Sequence, residues 1–178
     1  MAEPENDPSC AVAHGEGEIR HQAAGRTLLA VFASPVAGFL LRYGLDLGYR
    51  PVLYEPDPDK AKAAAETFEV VDELPGLDEA TEVVVTDHHR PELGPALRDV
   101  LARPVRWVGV MGNPRHAGPH VEALRKLGVP EEQIARVHRP VGLNIGSRTP
   151  PEIAIATLAG LLAGLLADRN GRDGGFEF

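Results

Sequence analysis

Three segments of the sequence combine side chains that can bind a ligand with small residues that let a ligand approach. They are residues 86–89, 109–115 and 140–152. Imidazole and carboxylate groups, such as those of His88 and Asp87, suit general base and metal-ligand chemistry. The guanidinium of Arg115 offers a planar fork for phosphate or carboxylate. Each segment follows a stretch with strand character, so we expect all three to line one crevice.

The candidate cofactor-binding residues of these segments are polar or lack a bulky side chain. They are Thr86, Asp87, His88, Gly109, Gly112, Asn113, Arg115, Gly142, Asn144, Gly146 and Thr149. An alternative interpretation of residues 86–89 is a polar loop in which one His caps the following helix. For Arg115 and Arg148 the alternative is a solvated surface position. We expect no metal site, because adjacent residues leaving a strand point to opposite sides and no second ligand set has metal spacing.

The first loop of the chain has the position of a dinucleotide-binding turn without its glycines. In such a turn, a G-x-G-x-x-G/A pattern lets backbone N–H groups and a helix N-terminus meet a pyrophosphate. Phe32 and Ser34 replace the first two glycines, which weakens the case for NAD(P), and only Ala37 fits. Glu55 stands about twenty residues further on, where it would hold a ribose hydroxyl. The candidate residues here are Ala33, Ser34, Pro35, Val36 and Glu55.

The alternative for this loop is a plain first crossover of an α/β sheet, in which Ser34 caps a helix that begins with Pro35. A second capped helix start is predicted at Thr149, with Glu152 reaching back as in a capping box. His116 and His120 have the i, i+4 spacing of a two-His metal site. Because prolines precede and separate them, we expect both in an exposed first turn instead.

Short apolar runs alternate with helical patterns along the chain, which predicts βαβ units. The predicted strands are residues 27–33, 51–54, 69–71, 82–86 and 105–111. The predicted helices are residues 36–47, 60–66, 91–101, 116–127, a turn around 130–132, and a long helix from 150 or 151 to about 169. The fold class is therefore α/β, a doubly wound, mostly parallel Rossmann-like sheet with helices on both faces. Strand-to-helix loops of such a sheet gather at one edge.

The composition is that of a soluble globular protein with one domain. Of 178 residues, 43% are apolar, and the net charge is −8. An acidic chain disfavours nucleic-acid and anionic-membrane binding, which need a basic face. A single cysteine, Cys10, excludes an internal disulfide and a Cys-based zinc site and fits a reducing cytoplasm. No secretory signal is visible, and the longest apolar run is too short to span a membrane.

We divide the chain into a flexible leader (residues 1–24), a Rossmann-like domain (25–170) and a frayed tail (171–178). The long last helix is apolar almost all round, with Gly160 and Gly164 four residues apart. That pattern indicates a helix buried on several sides, with the glycines allowing close backbone approach. A homodimer would bury the surplus apolar face, so we expect a homodimer.

The third segment resembles a known family signature. Residues 140–154 are similar to the P-[IV]-G-L-[DN]-I-G-x-x-T-P-x-E-I-A motif of the XdhC/CoxI family, the xanthine dehydrogenase accessory proteins. Residues 109–115 resemble its G-x-x-G-S-x-[RK] turn, and residues 86–89 its T-H-D-H segment with the middle pair exchanged. Residues 32–37 align with its G-A-G-H-V-A turn, minus the glycines. The resemblance covers roughly residues 26–169.

The resemblance implies a Rossmann-type domain of a protein that binds molybdenum cofactor and delivers it to a molybdenum hydroxylase. Family members typically carry an additional N-terminal domain with a cysteine, and only the short leader with Cys10 precedes the Rossmann pattern here. We therefore expect a separate partner chain to supply that domain, or a drifted role. The alternatives are an NAD(P)-dependent oxidoreductase, although no recognisable catalytic pair is present, and an interaction subunit that has lost cofactor binding.

Overall fold

Six short strands form one parallel sheet in a computed structural model that describes residues 23–113 and 115–170, with side chains up to residue 164. The strands are β1 (Thr27–Val31), β2 (Arg50–Tyr54), β3 (Glu69–Val71), β4 (Thr81–Val85), β5 (Trp107–Val110) and β6 (Val137–His138). Their order is β3-β2-β1-β4-β5-β6, and every neighbouring pair is parallel. This is the strand order of doubly wound dinucleotide-binding folds. The predicted fold class is confirmed.

Six helices connect these strands in the described part of the chain. They are α1 (Pro35–Asp46), α2 (Pro58–Ala64), α3 (Leu93–Leu101), α4 (Pro119–Lys126), α5 (Glu131–Ile134) and α6 (Pro150–Asn170). Helices α1 and α6 cover one face of the sheet, and α3 and α4 cover the other. The leader to residue 22 and the tail from residue 171 lie outside the described residues, so the expectations for them are not addressed.

The continuous apolar character of the strands follows from burial on both faces. In β1, Leu28 and Ala30 pack with α1 and α6, whereas Leu29 and Val31 pack with α3 and α4. Every residue of β4 is buried. Side chains alternate along a strand, so only a strand covered on both sides needs an unbroken apolar run.

The structure differs from the sequence-based prediction mainly at element ends. β1 ends at Val31 rather than at residue 33, because the chain turns sharply at Phe32. α4 begins at Pro119 rather than at residue 116. β6 was not predicted at all, since two residues are too few to show a period. All other predicted strands and helices are present with small shifts of their ends.

The long last helix, α6, is buried as predicted on several sides. Ala154, Leu158 and Leu161 pack into the core that it shares with α1. Among its described side chains, the one large apolar residue that stays exposed is Ile155, at 52%. Up to residue 164, most of the apolar side chains of α6 are thus covered within the chain. The homodimer stays a prediction.

Candidate functional site

The loops that follow β1 and β4 meet at the carboxyl edge of the sheet. β1 pairs with β2 on one side and β4 on the other, and Val31 is opposite Val85 in the register. The chain therefore winds away in opposite directions from this point. In open α/β sheets a ligand crevice lies at such a switch point, outside the carboxyl ends of the strands.

A cavity of about 560 Å³ occupies this edge, and we call it the crevice. It is lined by Val36, Thr86, His88, Met111, Gly112, Asn113, Pro140, Val141, Gly142, Leu143, Asn144, Gly146, Ser147 and Ile153. The lining comes from the loops after β1, β4, β5 and β6 and from the start of α6. The structure thus brings together all three segments singled out in the sequence. Among the described residues, the lining holds no Lys or Arg, so a bound anion would accept hydrogen bonds mainly from backbone and amide N–H groups.

The first loop keeps the backbone of a glycine-containing turn although its glycines are replaced. Phe32, in the place of the first glycine, has a φ of 73°. An L residue in this left-handed conformation costs roughly 1–2 kcal/mol, and the buried ring offsets that cost through packing. Ser34 caps α1 by accepting a hydrogen bond from the Ala37 N–H at 3.1 Å, with Pro35 at the first helical position. The predicted Ser-Pro cap is confirmed.

A hydroxyl pair links the first loop to the loop after β4. The Ser34 hydroxyl donates to Oγ1 of Thr86 at 2.9 Å. The Thr86 hydroxyl in turn donates to the backbone carbonyl of Phe32 at 2.8 Å. Thr86 lines the crevice, whereas Ser34 caps α1 and bonds Thr86. The pair therefore fixes the first loop against the crevice wall formed by Thr86.

Glu55 lies at the end of β2 but faces the protein interior, not the crevice. Its side chain is fully buried, and it accepts hydrogen bonds from the backbone N–H groups of Ala33 (2.7 Å) and Asp57 (2.9 Å). The Arg90 guanidinium forms a two-pronged ion pair with it, at 2.9 and 3.1 Å, and lies 4.8 Å from the centre of the Phe32 ring. The Glu55 carboxylate could hold a ribose hydroxyl only if this pair opened.

The residues after β4 form a tight turn instead of a continued strand. The Asp87 carboxylate accepts from the His89 N–H at 3.0 Å. The turn brings the His88 and His89 rings within 4.1 Å of each other, although adjacent side chains of a strand would diverge. Neither histidine caps α3, whose start has no side-chain cap, so that alternative is wrong. His88 lines the crevice, and Asp87 does not.

The segment after β5 divides into a structural part and a lining part. A Cβ on Gly109 would lie 2.1 Å from the Trp107 ring and 2.5 Å from Val141, so this glycine serves sheet packing. Gly112 and Asn113 line the crevice. Arg115 is exposed and does not line the crevice.

The segment after β6 forms the largest wall of the crevice. Gly142 has a φ of 82°, and a Cβ there would lie 2.7 Å from backbone atoms of Ala156. A Cβ on Gly160 would lie 3.1 Å from the Cα of Gly142. The lack of a side chain at Gly160 therefore lets the loop backbone approach α6 closely, as predicted. Asn144 and Gly146 also line the crevice. Among the described residues, no atom outside its own helix lies within 4 Å of a Cβ on Gly164, so the close approach there stays a prediction.

The start of α6 shows the predicted backward reach of a capping box. The Glu152 carboxylate accepts from the N–H groups of Thr149 (3.0 Å) and Arg148 (2.8 Å). These two hydrogen bonds lower the pKa of Glu152. Thr149 and Arg148 are exposed, and neither lines the crevice.

Several lining residues escaped the sequence-based selection because they are apolar or ordinary in type. They are Met111, Pro140, Val141, Leu143, Ser147 and Ile153. Their positions next to selected residues were the signal that could have found them. Conversely, the selected Ala33, Ser34, Pro35, Glu55, Asp87, Gly109, Arg115 and Thr149 do not line the crevice.

The structure contradicts the expectation that His116 and His120 both lie in an exposed first turn. His116 is exposed, but His120 is only 4% exposed, because α4 starts at Pro119 and turns the His120 ring inward against Gly118. Burial is the main cause that lowers the pKa of His120, and the positive charge of Arg139 lowers it further. The imidazole is therefore kept neutral in the folded state at neutral pH.

This burial predicts a pH dependence of stability. The unfolded chain binds a proton at His120 near its ordinary pKa of 6.5, whereas the folded chain binds it only at lower pH. Stability should therefore fall as the pH drops below about 6.5. Urea unfolding between about pH 7.5 and 5.5 should show this loss, and His120→Gln should reduce it. The exposed His116→Asn is the matched control, and an equal change in both variants would contradict the assignment.

Neither a metal cluster nor a membrane helix is found in the part of the chain that the structure describes. Within residues 23–113 and 115–170, no group of three His, Cys, Asp or Glu side chains could hold a metal ion. Over the same residues, no helix has the length and apolarity needed to cross a bilayer.

Comparison with known proteins points to one family. A family model described as the XdhC Rossmann domain matches residues 28–161. The chain is 46% identical over 67 residues to YqeB, an uncharacterised protein of Escherichia coli (strain K12), a match that covers 38% of this chain and 12% of YqeB. It is similar in fold to a crystal structure of a xanthine dehydrogenase from Bacillus halodurans, with a TM-score of 0.63 and 22% identity. That likeness covers 81% of this chain and 43% of the other, so the chain matches less than half of either relative.

Proposed function

Since the chain belongs to the XdhC Rossmann-domain family, we propose that it is an accessory protein that binds a cofactor in the crevice and serves the maturation of a molybdenum hydroxylase of the xanthine or CO dehydrogenase type. The cofactor is a molybdenum cofactor or a nucleotide such as NAD(P). The observation that carries the proposal is the cavity of about 560 Å³ at the switch point of the sheet. A volume of this size lies within the range of small-molecule and cofactor sites.

The lining residues fit a planar, hydrogen-bonding group. Asn144 offers amide donors and an acceptor to the edge of a pterin or a base. Asn113 offers its amide donors, while its Oδ1 accepts from the Arg115 N–H at 3.0 Å. His88 adds an imidazole whose pKa is lowered, first by burial and then by His89 and Arg139, so that it is neutral at neutral pH. Met111, Val141 and Ile153 provide apolar surface for the faces of the ring. These residues would bind and orient a cofactor, whose own chemistry is that of the molybdenum centre or the nicotinamide.

Calorimetry and thermal unfolding with molybdopterin, NAD, NADP and simple nucleotides test the proposal. A ligand at 100 times its dissociation constant should stabilise the protein by about 2.7 kcal/mol. Asn144→Ala should weaken the response, because Asn144 lines the crevice and its side chain forms no hydrogen bond to another described residue that the substitution would disturb. Arg103→Gln is the matched control, since Arg103 is exposed beyond the end of α3, at the opposite edge of the sheet.

The partner is tested separately by capture of a molybdenum hydroxylase subunit on the immobilised chain. Binding of a cofactor together with capture of the hydroxylase would support the accessory role. No response to any of the four ligand classes, or an equal response in the Asn144→Ala variant, would contradict cofactor binding in the crevice.

A second candidate function, an NAD(P)-dependent oxidoreductase, is favoured by one observation. The start of α1 lies at the crevice, with Val36 in its lining, in the position where a dinucleotide pyrophosphate meets a helix N-terminus. Stabilisation by NADPH together with turnover of a carbonyl substrate would support this candidate over the accessory role.

A further inference from the structure

A second cavity of about 790 Å³ lies beside the crevice, and we call it the histidine cavity. It is bordered by the turn after β4, the first turns of α3 and α4, and Arg139, and it shares only His88 and Asn113 with the lining of the crevice. Its lining includes His88, His89, His116, Arg90 and Arg139. Among the described residues, no Asp or Glu lines it. Of the acidic residues next to its lining residues in the chain, Asp87 accepts a hydrogen bond from the N–H of His89, and Glu92 pairs with Arg90.

Two arginines line the cavity, and they differ in whether a described carboxylate balances their charge. Arg90 is paired with Glu55 and with Glu92, so its charge is balanced within the protein. Arg139 donates to the backbone carbonyls of His116 (2.7 Å) and Asn113 (3.0 Å), and neither of these groups carries a negative charge. Its positive charge lowers the pKa of both His88 and His120. Arg139 therefore leaves a net positive potential in the cavity.

Two buried polar atoms, one in Arg139 and one in the neighbouring His120, have no hydrogen-bond partner among the described residues. They are Nε of Arg139, a donor, and Nδ1 of His120. Both side chains contact the space above Gly118, where a Cβ would lie 2.6 Å from Nδ1 and 3.3 Å from Cδ of Arg139. Buried polar groups of native proteins are almost always paired, so an unpaired donor points to a missing partner.

The helices that border the cavity add to its preference for an anion. α3 and α4 both begin at it, with Leu93 and Pro119 in the lining. Neither helix start has a side-chain cap. The N-terminal turns of helices carry a partial positive charge that favours anions.

We propose that the histidine cavity is an anion site that takes a phosphate group, held by Arg139 and the imidazoles of His88, His89 and His116. The phosphate is either free or carried by a larger molecule. The inference goes beyond the proposed function, because Arg139, His89 and His116 line only the histidine cavity, whereas His88 lines both cavities. A planar arginine fork with clustered imidazoles is a suitable donor set for phosphate oxygens.

Histidine NMR signals of the full chain, titrated with inorganic phosphate and in parallel with AMP, test the proposal. Phosphate should shift the imidazole signals of His88, His89 and His116 saturably, whereas chloride at equal ionic strength should not. Arg139→Gln should raise the dissociation constant about tenfold or more, as expected when a charge-assisted hydrogen bond is lost. Arg115→Gln is the control, because Arg115 is exposed and lies outside the cavity lining.

Arg139 also donates to the backbone carbonyls of Asn113 and His116, so its replacement could disturb the backbone there. His89→Asn serves as a second variant, because no side-chain hydrogen bond of His89 to the described backbone would be lost. It should weaken phosphate binding while unfolding remains unchanged. Saturable binding of phosphate with AMP equal or weaker would support a site for the free ion, and tighter binding of AMP would support a site for a carried phosphate. No saturable shift with either probe, or equal binding by Arg139→Gln and the wild type, would overturn the proposal.

Discussion

Replacement of Glu55 by Ala is expected to lower the free energy of unfolding by about 3–5 kcal/mol, the loss typical of one partner removed from a buried ion pair. The Arg90 side chain is only 8% exposed and the Glu55 side chain 0%. Without Glu55, the Arg90 charge would stay buried against Phe32 with only Glu92 as a partner. The N–H groups of Ala33 and Asp57 would also lose their acceptor.

Urea or thermal unfolding of the variant measures this loss, and an exposed ion pair supplies the control. Arg50 and Glu69 form an ion pair in which one nitrogen, Nη2 of Arg50, donates to both carboxylate oxygens at 2.8 and 3.0 Å, but their side chains are 66% and 47% exposed. Glu69→Ala should therefore cost only about 0–1 kcal/mol. Similar losses in both variants would show that the buried pair does not hold the first loop as described.

Gly142→Ala should also be strongly destabilising, for two separable reasons. A left-handed conformation costs a residue with a Cβ roughly 1–2 kcal/mol, and Gly142 has a φ of 82°. The new Cβ would also meet the backbone of Ala156 at 2.7 Å, which cannot move aside as a flexible side chain can. Overpacking of this kind typically costs about 1–3 kcal/mol more.

Gly146→Ala separates these two contributions within the same loop. Gly146 has a similar φ of 72°, but apart from its chain neighbours no atom of the described residues lies within 4 Å of a Cβ placed on it. Unfolding experiments should therefore show the conformational cost alone for Gly146→Ala, and a clearly larger loss for Gly142→Ala. Equal losses would contradict the close packing of this loop on α6.

The fold and the place of the site could be predicted because they depend on local pattern and on chain handedness. The apolar runs of β1 and β4 show burial on both faces, and right-handed crossovers then bring their loops to one edge. Asn113 and Asn144 were expected to share a crevice on these grounds, and both line it.

The direction of individual side chains could not be predicted, because it depends on partners distant in sequence. The spacing of Glu55 after Phe32 indicates a position at the end of β2, but not that Arg90 turns its carboxylate inward. Similarly, the sequence does not show that the His120 ring turns inward over Gly118, beside the side chain of Arg139 from a later loop. Neither contact leaves a period in the sequence.

Backbone amide NMR of the chain during titration with molybdopterin, and separately with NADPH, tests cofactor binding in the crevice most directly. For the ligand that binds, we predict saturable shifts at residues 86–88, 111–113 and 140–147, and none around Arg103 at the other edge of the sheet. Shifts that map mainly to that other edge, or no saturable shift with either ligand, would contradict the account.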